Sequence, residues 1–270
     1  MQLTEIFRQT GRFSNLKRMF GPKQFGTLNE LRVTMQMNYP SIRMQVLISA
    51  VGTIDCMLLL PSRQNDTDSD NEIRINDIER YIRDNQLLSE TLESVSESML
   101  ESKIISPVVE CRGKTFLIYC SPNAGTYELM VLSDTKVIET YQKNGIYVLL
   151  WNYRGYGYSM GSPSMENIVS DCHNLTKLVK YGFGAEKIIV YGRSLGGHPT
   201  KSLSDKADLL IIDRSFSSIS FVPRIIFGQR WVQFAYDMFI DNYQVNVQQV
   251  IESLSNKILL VDPCVKYDHT

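Results

Sequence analysis

The run Val190-Tyr-Gly-Arg-Ser-Leu-Gly-Gly-His198 carries an apolar stretch into a serine set between glycines. A serine hydroxyl is a weak nucleophile unless a base takes its proton, and that base is held in place by a carboxylate. The candidate nucleophile is Ser194. The sequence holds three histidines, His173, His198 and His269. His198 lies four residues after Ser194, on the helix expected beneath it, where Cβ atoms point away from the reacting side. His173 sits in an earlier helical pattern and is read as a surface or core histidine. His269, beside Asp268 in the last two residues, reaches Ser194 only if the chain crosses the top of the sheet.

The flanks explain why that serine is worth singling out. Residues 188–191 are apolar and β-prone, and residues 197–205 can begin a helix with Pro199 in the first turn, where proline is tolerated. Strand, Gly-x-Ser-x-Gly, helix is a sharp turn that lifts the serine clear of a sheet. It places the Leu195 N–H at the positive end of a helix, facing the point where an oxyanion would form. Around it, apolar runs at 115–120, 147–152, 187–191, 209–213 and 257–262 alternate with helical patterns near 128–144, 164–181, 197–205 and 230–255. Short apolar strands separated by helices make a mostly parallel sheet covered on both faces, an α/β fold. Residues 44–60 add two further strands around Gly52.

With 270 residues the chain suits one large domain with additions. Its 43% apolar and 21% charged residues are an ordinary globular mixture. A net charge of −1 gives no pull toward nucleic acid. Five scattered cysteines without a CxxC pair argue against a disulfide framework and a zinc site, and favour a reducing, cytoplasmic compartment. No pattern asks for a cofactor.

Four segments occur in order: TFLIYCSPNAGTYEL from Thr115, WNYRGYGYSMGSPS from Trp151, IIVYGRSLGG from Ile188 and IIDRSFSSI from Ile211. Together they resemble the α/β-hydrolase superfamily, on the branch of lysophospholipase-like, depalmitoylase-like and serine-aminopeptidase-like domains, over roughly residues 45–62 and 112–263. The resemblance implies a serine hydrolase with a Ser194 acyl-enzyme acting on a small-molecule or acyl-protein substrate. It implies an oxyanion site made by the backbone N–H groups of Leu195 and Asn123. The family's His-Gly-Asn-Ala is here Ser121-Pro-Asn-Ala124, so Asn123 keeps an N–H that Pro122 lacks. Arg154 is expected to pin its loop through an ion pair with Asp171.

The rest of the triad departs from the pattern. The family's acid position falls on Val265; Asp262 and Asp268 are the nearest carboxylates. The family's histidine would follow a further helix and strand, past Thr270, so the family's last strand is expected to be lacking here. Two readings stay open: a hydrolase whose base is His269 or lies outside this sequence, or a hydrolase fold retained for binding a protein partner.

Three appendages complete the organisation. Residues 1–30 form a basic segment. Within 1–25, Arg8, Arg12, Lys17, Arg18 and Lys23 face one acid, Glu5, with apolar residues at near-helical spacing; this is read as a helix packed on the domain or touching a membrane surface. Residues 31–270 form the hydrolase domain. Within it, 63–105 is expected to be an acidic surface insertion. Eleven acids and three basic residues lie between Asp66 and Glu101. Asp66–Asp77 spaces its carboxylates like a calcium loop, but Asn71 stands in place of the turn glycine, and the segment is read as a solvated acidic loop. The aromatic-rich stretch from Pro223 to Ser255 is expected to pack as a small cap.

Overall fold

The computed structural model describes residues 28–49, 52–62, 70, 74–80, 114–123, 125–133, 135–215 and 257–260. Seven strands form one sheet in the order β1-β2-β4-β3-β5-β6-β7. They are β1 (Ser41–Ser49), β2 (Gly52–Leu59), β3 (Thr115–Cys120), β4 (Tyr147–Trp151), β5 (Lys187–Arg193), β6 (Leu209–Asp213) and β7 (Lys257–Leu260). β1 and β2 form an antiparallel hairpin whose second strand also runs antiparallel to β4. From β4 to β7 every pairing is parallel. The helices are α1 (Leu28–Asn38), α2 (Tyr127–Ser133), α3 (Thr135–Lys143), α4 (Met165–Lys177) and α5 (Gly197–Lys201). The strands expected from sequence are present within two residues of their expected ends, except that the first begins at Ser41, three residues before the expected 44. α2 and α3 occupy the expected helix at 128–144. The helix expected at 230–255, with the cap, lies outside the described residues, as do residues 1–27.

Strand alternation sorts the core into two layers. Phe116, Ile118, Cys120, Leu149, Trp151, Val190 and Leu210 pack toward α4 and the π-helical turn Leu178–Gly182 that follows it. Leu117, Tyr119, Val148, Leu150, Tyr191 and Ile211 pack toward α1, α2 and α3. α4 shows the local logic. Ser164 caps it by accepting from the Asn167 N–H, and Ile168, Cys172 and Leu175 recur on the face turned to the sheet. Burying the Ile168 or the Leu175 side chain contributes about 1.5–3 kcal/mol.

The strand order reverses between β3 and β5. β3 leads through α2 and α3 to β4 on one side; β4 leads through α4 to β5 on the other. The connections therefore diverge at the carboxyl ends of β3 and β5 and leave a crevice there, the place where open α/β sheets bind ligands. The segments leaving these two strands begin at Ser121 and Ser194.

Two features were not expected from sequence. Part of the acidic insertion is core: in the helical stretch 74–80 Ile78 is fully buried and Ile75 packs beside it, so this stretch is not the surface appendage expected. Asp77, the last carboxylate of the calcium-like spacing, pairs with Arg80 at 3.3 Å on the exposed side of that helix. The second feature is a buried ionic cluster. Arg32 on α1 binds Asp55 on β2 and, at 2.6 Å, Glu128 on α2. The Asn152 side-chain amide donates to both carboxylates and accepts from the Tyr127 N–H. Gln45 and Arg43 close the other side of Asp55. The cluster joins α1, the hairpin, α2 and the start of the 152–160 loop.

A buried charge left without its partner is strongly destabilising. Arg32→Met should cost about 3–5 kcal/mol in urea unfolding, whereas Arg80→Ala, at an exposed pair, should change stability by no more than about 1 kcal/mol.

Candidate active site

Arg193 closes β5 in extended geometry, and Ser194 then turns to φ +52. The chain runs through the tight turn Ser194–Gly196 into α5. A non-glycine residue in the left-handed region costs about 1–2 kcal/mol, so neighbours must hold it there. The glycines make that possible by lacking a side chain. A Cβ on Gly192 would fall well inside contact distance of the Gly196 carbonyl and the Thr200 hydroxyl. One on Gly196 would strike the Cys120 carbonyl, and one on Gly197 the Ser215 hydroxyl. Sharp turn and close approach are what the Gly-Arg-Ser-Leu-Gly-Gly spacing implied; Ser194 itself is half-buried.

The loop leaving β3 lies beside this turn because Cys120 is the register partner of Gly192 and its carbonyl packs on Gly196. Two tyrosines of the 152–160 loop hold it. The Tyr153 hydroxyl donates to the Ser121 carbonyl, and the Tyr156 hydroxyl to Asn123 Oδ1 at 3.0 Å. Arg154 in turn chelates Asp171 on α4: Nε lies 3.1 and 3.0 Å from its two oxygens and Nη2 2.6 Å from Oδ1. The ion pair expected from sequence is present and buried. The tyrosine struts gave no sequence signal beyond their place in the motif.

Leu195 follows Ser194 directly and is buried. Its N–H lies in the first turn, where helical N–H groups lack an intrahelical acceptor. Asn123 is exposed at the tip of its loop, on the neighbouring strand. The structure therefore brings Ser194, Leu195 and the Asn123 loop to one end of the sheet. Asp262, Asp268 and His269 lie outside the described residues.

The other two histidines are built into the packing. His173 is half-buried on α4 with Nε2 at 3.0 Å from Ser202 Oγ; burial and then Lys206 hold its pKa below the ordinary value. His198 is buried on α5, where burial and then Lys201 push it down to about 4. Burial lowers Lys201 itself to about 8. A base with a pKa near 4 is poorly matched to accepting a serine proton at neutral pH.

The serine aminopeptidase, S33, family model matches residues 128–209, from α2 to the start of β6. The chain is 33% identical over 134 residues to the Arabidopsis thaliana alpha/beta hydrolase domain-containing protein WAV2, covering 47% of this chain and 42% of that protein. It is 36% identical over 121 residues to the uncharacterized membrane protein YNL320W of Saccharomyces cerevisiae, covering 42% of this chain and 40% of that one. The chain thus spans less than half the length of these two relatives. In three dimensions it is similar to an alpha-beta hydrolase from Vibrio vulnificus, with a TM-score of 0.57 at 17% identity over 97% of this chain and 76% of that one. Among the described residues no helix is long and apolar enough to cross a membrane.

His198 supplies a pH test of this packing. Its pKa falls from 6.5 unfolded to about 4 folded. Between those values the unfolded chain takes up a proton that the folded chain refuses, so stability falls as pH falls. The loss should reach on the order of 3 kcal/mol by the bottom of the window. Urea unfolding at a series of pH values should show that slope in the parent chain and a flatter one in His198→Asn.

Proposed function

Because the chain is an α/β-hydrolase superfamily member, we propose that it is a serine hydrolase cleaving an ester, thioester or amide through a Ser194 acyl-enzyme. The observation that carries this reading is the strained elbow: Ser194 at φ +52 on the carboxyl end of β5, at the reversal point of the sheet. Ser194 Oγ attacks the substrate carbonyl and gives its proton to the base. The carbonyl oxygen becomes an oxyanion facing the N–H groups of Leu195 and Asn123. The bond to the leaving alcohol, thiol or amine breaks as the base returns that proton. Water then attacks the acyl-enzyme along the same path and frees the acid and Ser194. In this proposal His269 is the base, oriented by Asp262 or Asp268.

A second reading, a hydrolase-fold module that binds a protein partner without turnover, has one observation in its favour. Among the described residues His173 pairs with Ser202, and His198 is buried with its pKa pushed down to about 4. Hydrolysis of a p-nitrophenyl ester and of an acyl thioester separates the two. Under the hydrolase reading Ser194→Ala lowers kcat at least about a thousandfold and shifts stability by less than about 0.5 kcal/mol. A mutant that hydrolyses as well as its parent contradicts the role of Ser194. A parent without turnover on either substrate favours the binding module.

A further inference from the structure

Asp213 at the end of β6 and the next two residues, Arg214 and Ser215, lie against the elbow and have no part in the chemistry above. Asp213 is the register partner of Arg193. Its nearly buried carboxylate accepts the Tyr191 hydroxyl at 2.5 Å and Arg214 Nε and Nη2 at 2.6 and 2.8 Å, with Arg193 Nε at 3.8 Å. Burial alone would raise the pKa of this acid, but the hydrogen bonds from Arg214 and Tyr191 more than offset it, so the carboxyl stays below its ordinary range and remains an anion. Arg214 sits at φ +45; among the described residues it and Ser194 are the two non-glycine positions with positive φ. The Asp213 chelate holds its side chain. The left-handed turn at 214 brings Ser215 over the start of α5, where its hydroxyl donates to the Ser194 carbonyl at 2.8 Å and fills the space a Cβ on Gly197 would need.

The Ser194 carbonyl and the Leu195 N–H belong to one planar trans peptide unit and point in opposite directions. Fixing the carbonyl fixes the N–H. A hydrogen bond accepted by the carbonyl also polarises the peptide and strengthens its N–H as a donor. We infer that Ser215 is a positioning residue: its hydroxyl locks the Ser194–Leu195 peptide so that the Leu195 N–H is aimed at the oxyanion, with the Arg214 turn and the Asp213 carboxylate holding Ser215 in place. The inference rests on the serine-hydrolase reading of Ser194. The oxyanion forms only on the way to the transition state, so loss of the lock lowers kcat and leaves KM nearly unchanged.

The test is Ser215→Ala in the full chain, with two readouts. In p-nitrophenyl ester hydrolysis kcat should fall tenfold or more at nearly constant KM, after correction for the folded fraction. In amide hydrogen exchange, peptides covering 192–201 should exchange at least tenfold faster, while β3 and β4 stay unchanged. A kcat equal to the parent's, or lowered only in proportion to unfolded protein, overturns the inference. If the parent itself has no turnover, the hydrolase reading has failed and exchange decides alone. Faster exchange confined to the elbow upholds Ser215 as its lock, and unchanged exchange there overturns it.

Discussion

The turn at the end of β5 works only if three positions carry no side chain. Gly192, Gly196 and Gly197 each approach other atoms so closely that a single Cβ would collide with the Gly196 carbonyl, the Cys120 carbonyl or the Ser215 hydroxyl. None of the three needs a positive φ; what they need is the missing atom. Their closeness presses β3, α5 and the exit of β6 onto the peptide units around Ser194. That pressure holds a non-glycine residue in a conformation costing about 1–2 kcal/mol. The sheet core, with dozens of buried apolar side chains, supplies far more than that. Strain at one residue is thus carried by the whole sheet, and the position of Ser194 follows from the packing of its neighbours.

Polar ties then carry that precision to the opposite wall of the crevice. Pro122 removes an N–H from the loop that faces the elbow. Tyr153 and Tyr156 hold it from the 152–160 loop, and Arg154 anchors that loop to Asp171 on α4. Asn152, at the start of the same loop, ends in the Arg32–Asp55–Glu128 cluster. Buried ion pairs give little net stability over an apolar replacement, because desolvation offsets attraction. Their use here is geometric, since each joins elements that the apolar layers alone would leave free to slide.

How much of this was legible in the sequence depended on how local each signal was. The strands could be read because short apolar runs alternate with helical patterns. The elbow could be read because its crowding writes glycine at fixed offsets from Ser194. Arg154–Asp171 followed from the motif around Arg154. The Arg32–Asp55–Glu128 cluster could not be read, because its members lie 23 and 96 residues apart and each looks like an ordinary surface charge. Ile78 was missed because the acids around it dominate its segment. Ser215 was missed because one hydroxyl in a Ser-rich run, Ser215 to Ser220, has no spacing to mark it. The acid and base rest on the family pattern, and that pattern breaks at Val265, where the spacing that should name them is gone.

The most direct test is to treat the full chain with a fluorophosphonate and map any adduct by peptide mass spectrometry. Such probes react only with a serine whose proton a base can take. The elbow and its braces predict one phosphonate per chain, on Ser194, and none in Ser194→Ala; loss of the adduct in His269→Ala would then identify the base. A folded chain that stays unlabelled, or carries its adduct on another serine, would contradict Ser194 as a working nucleophile.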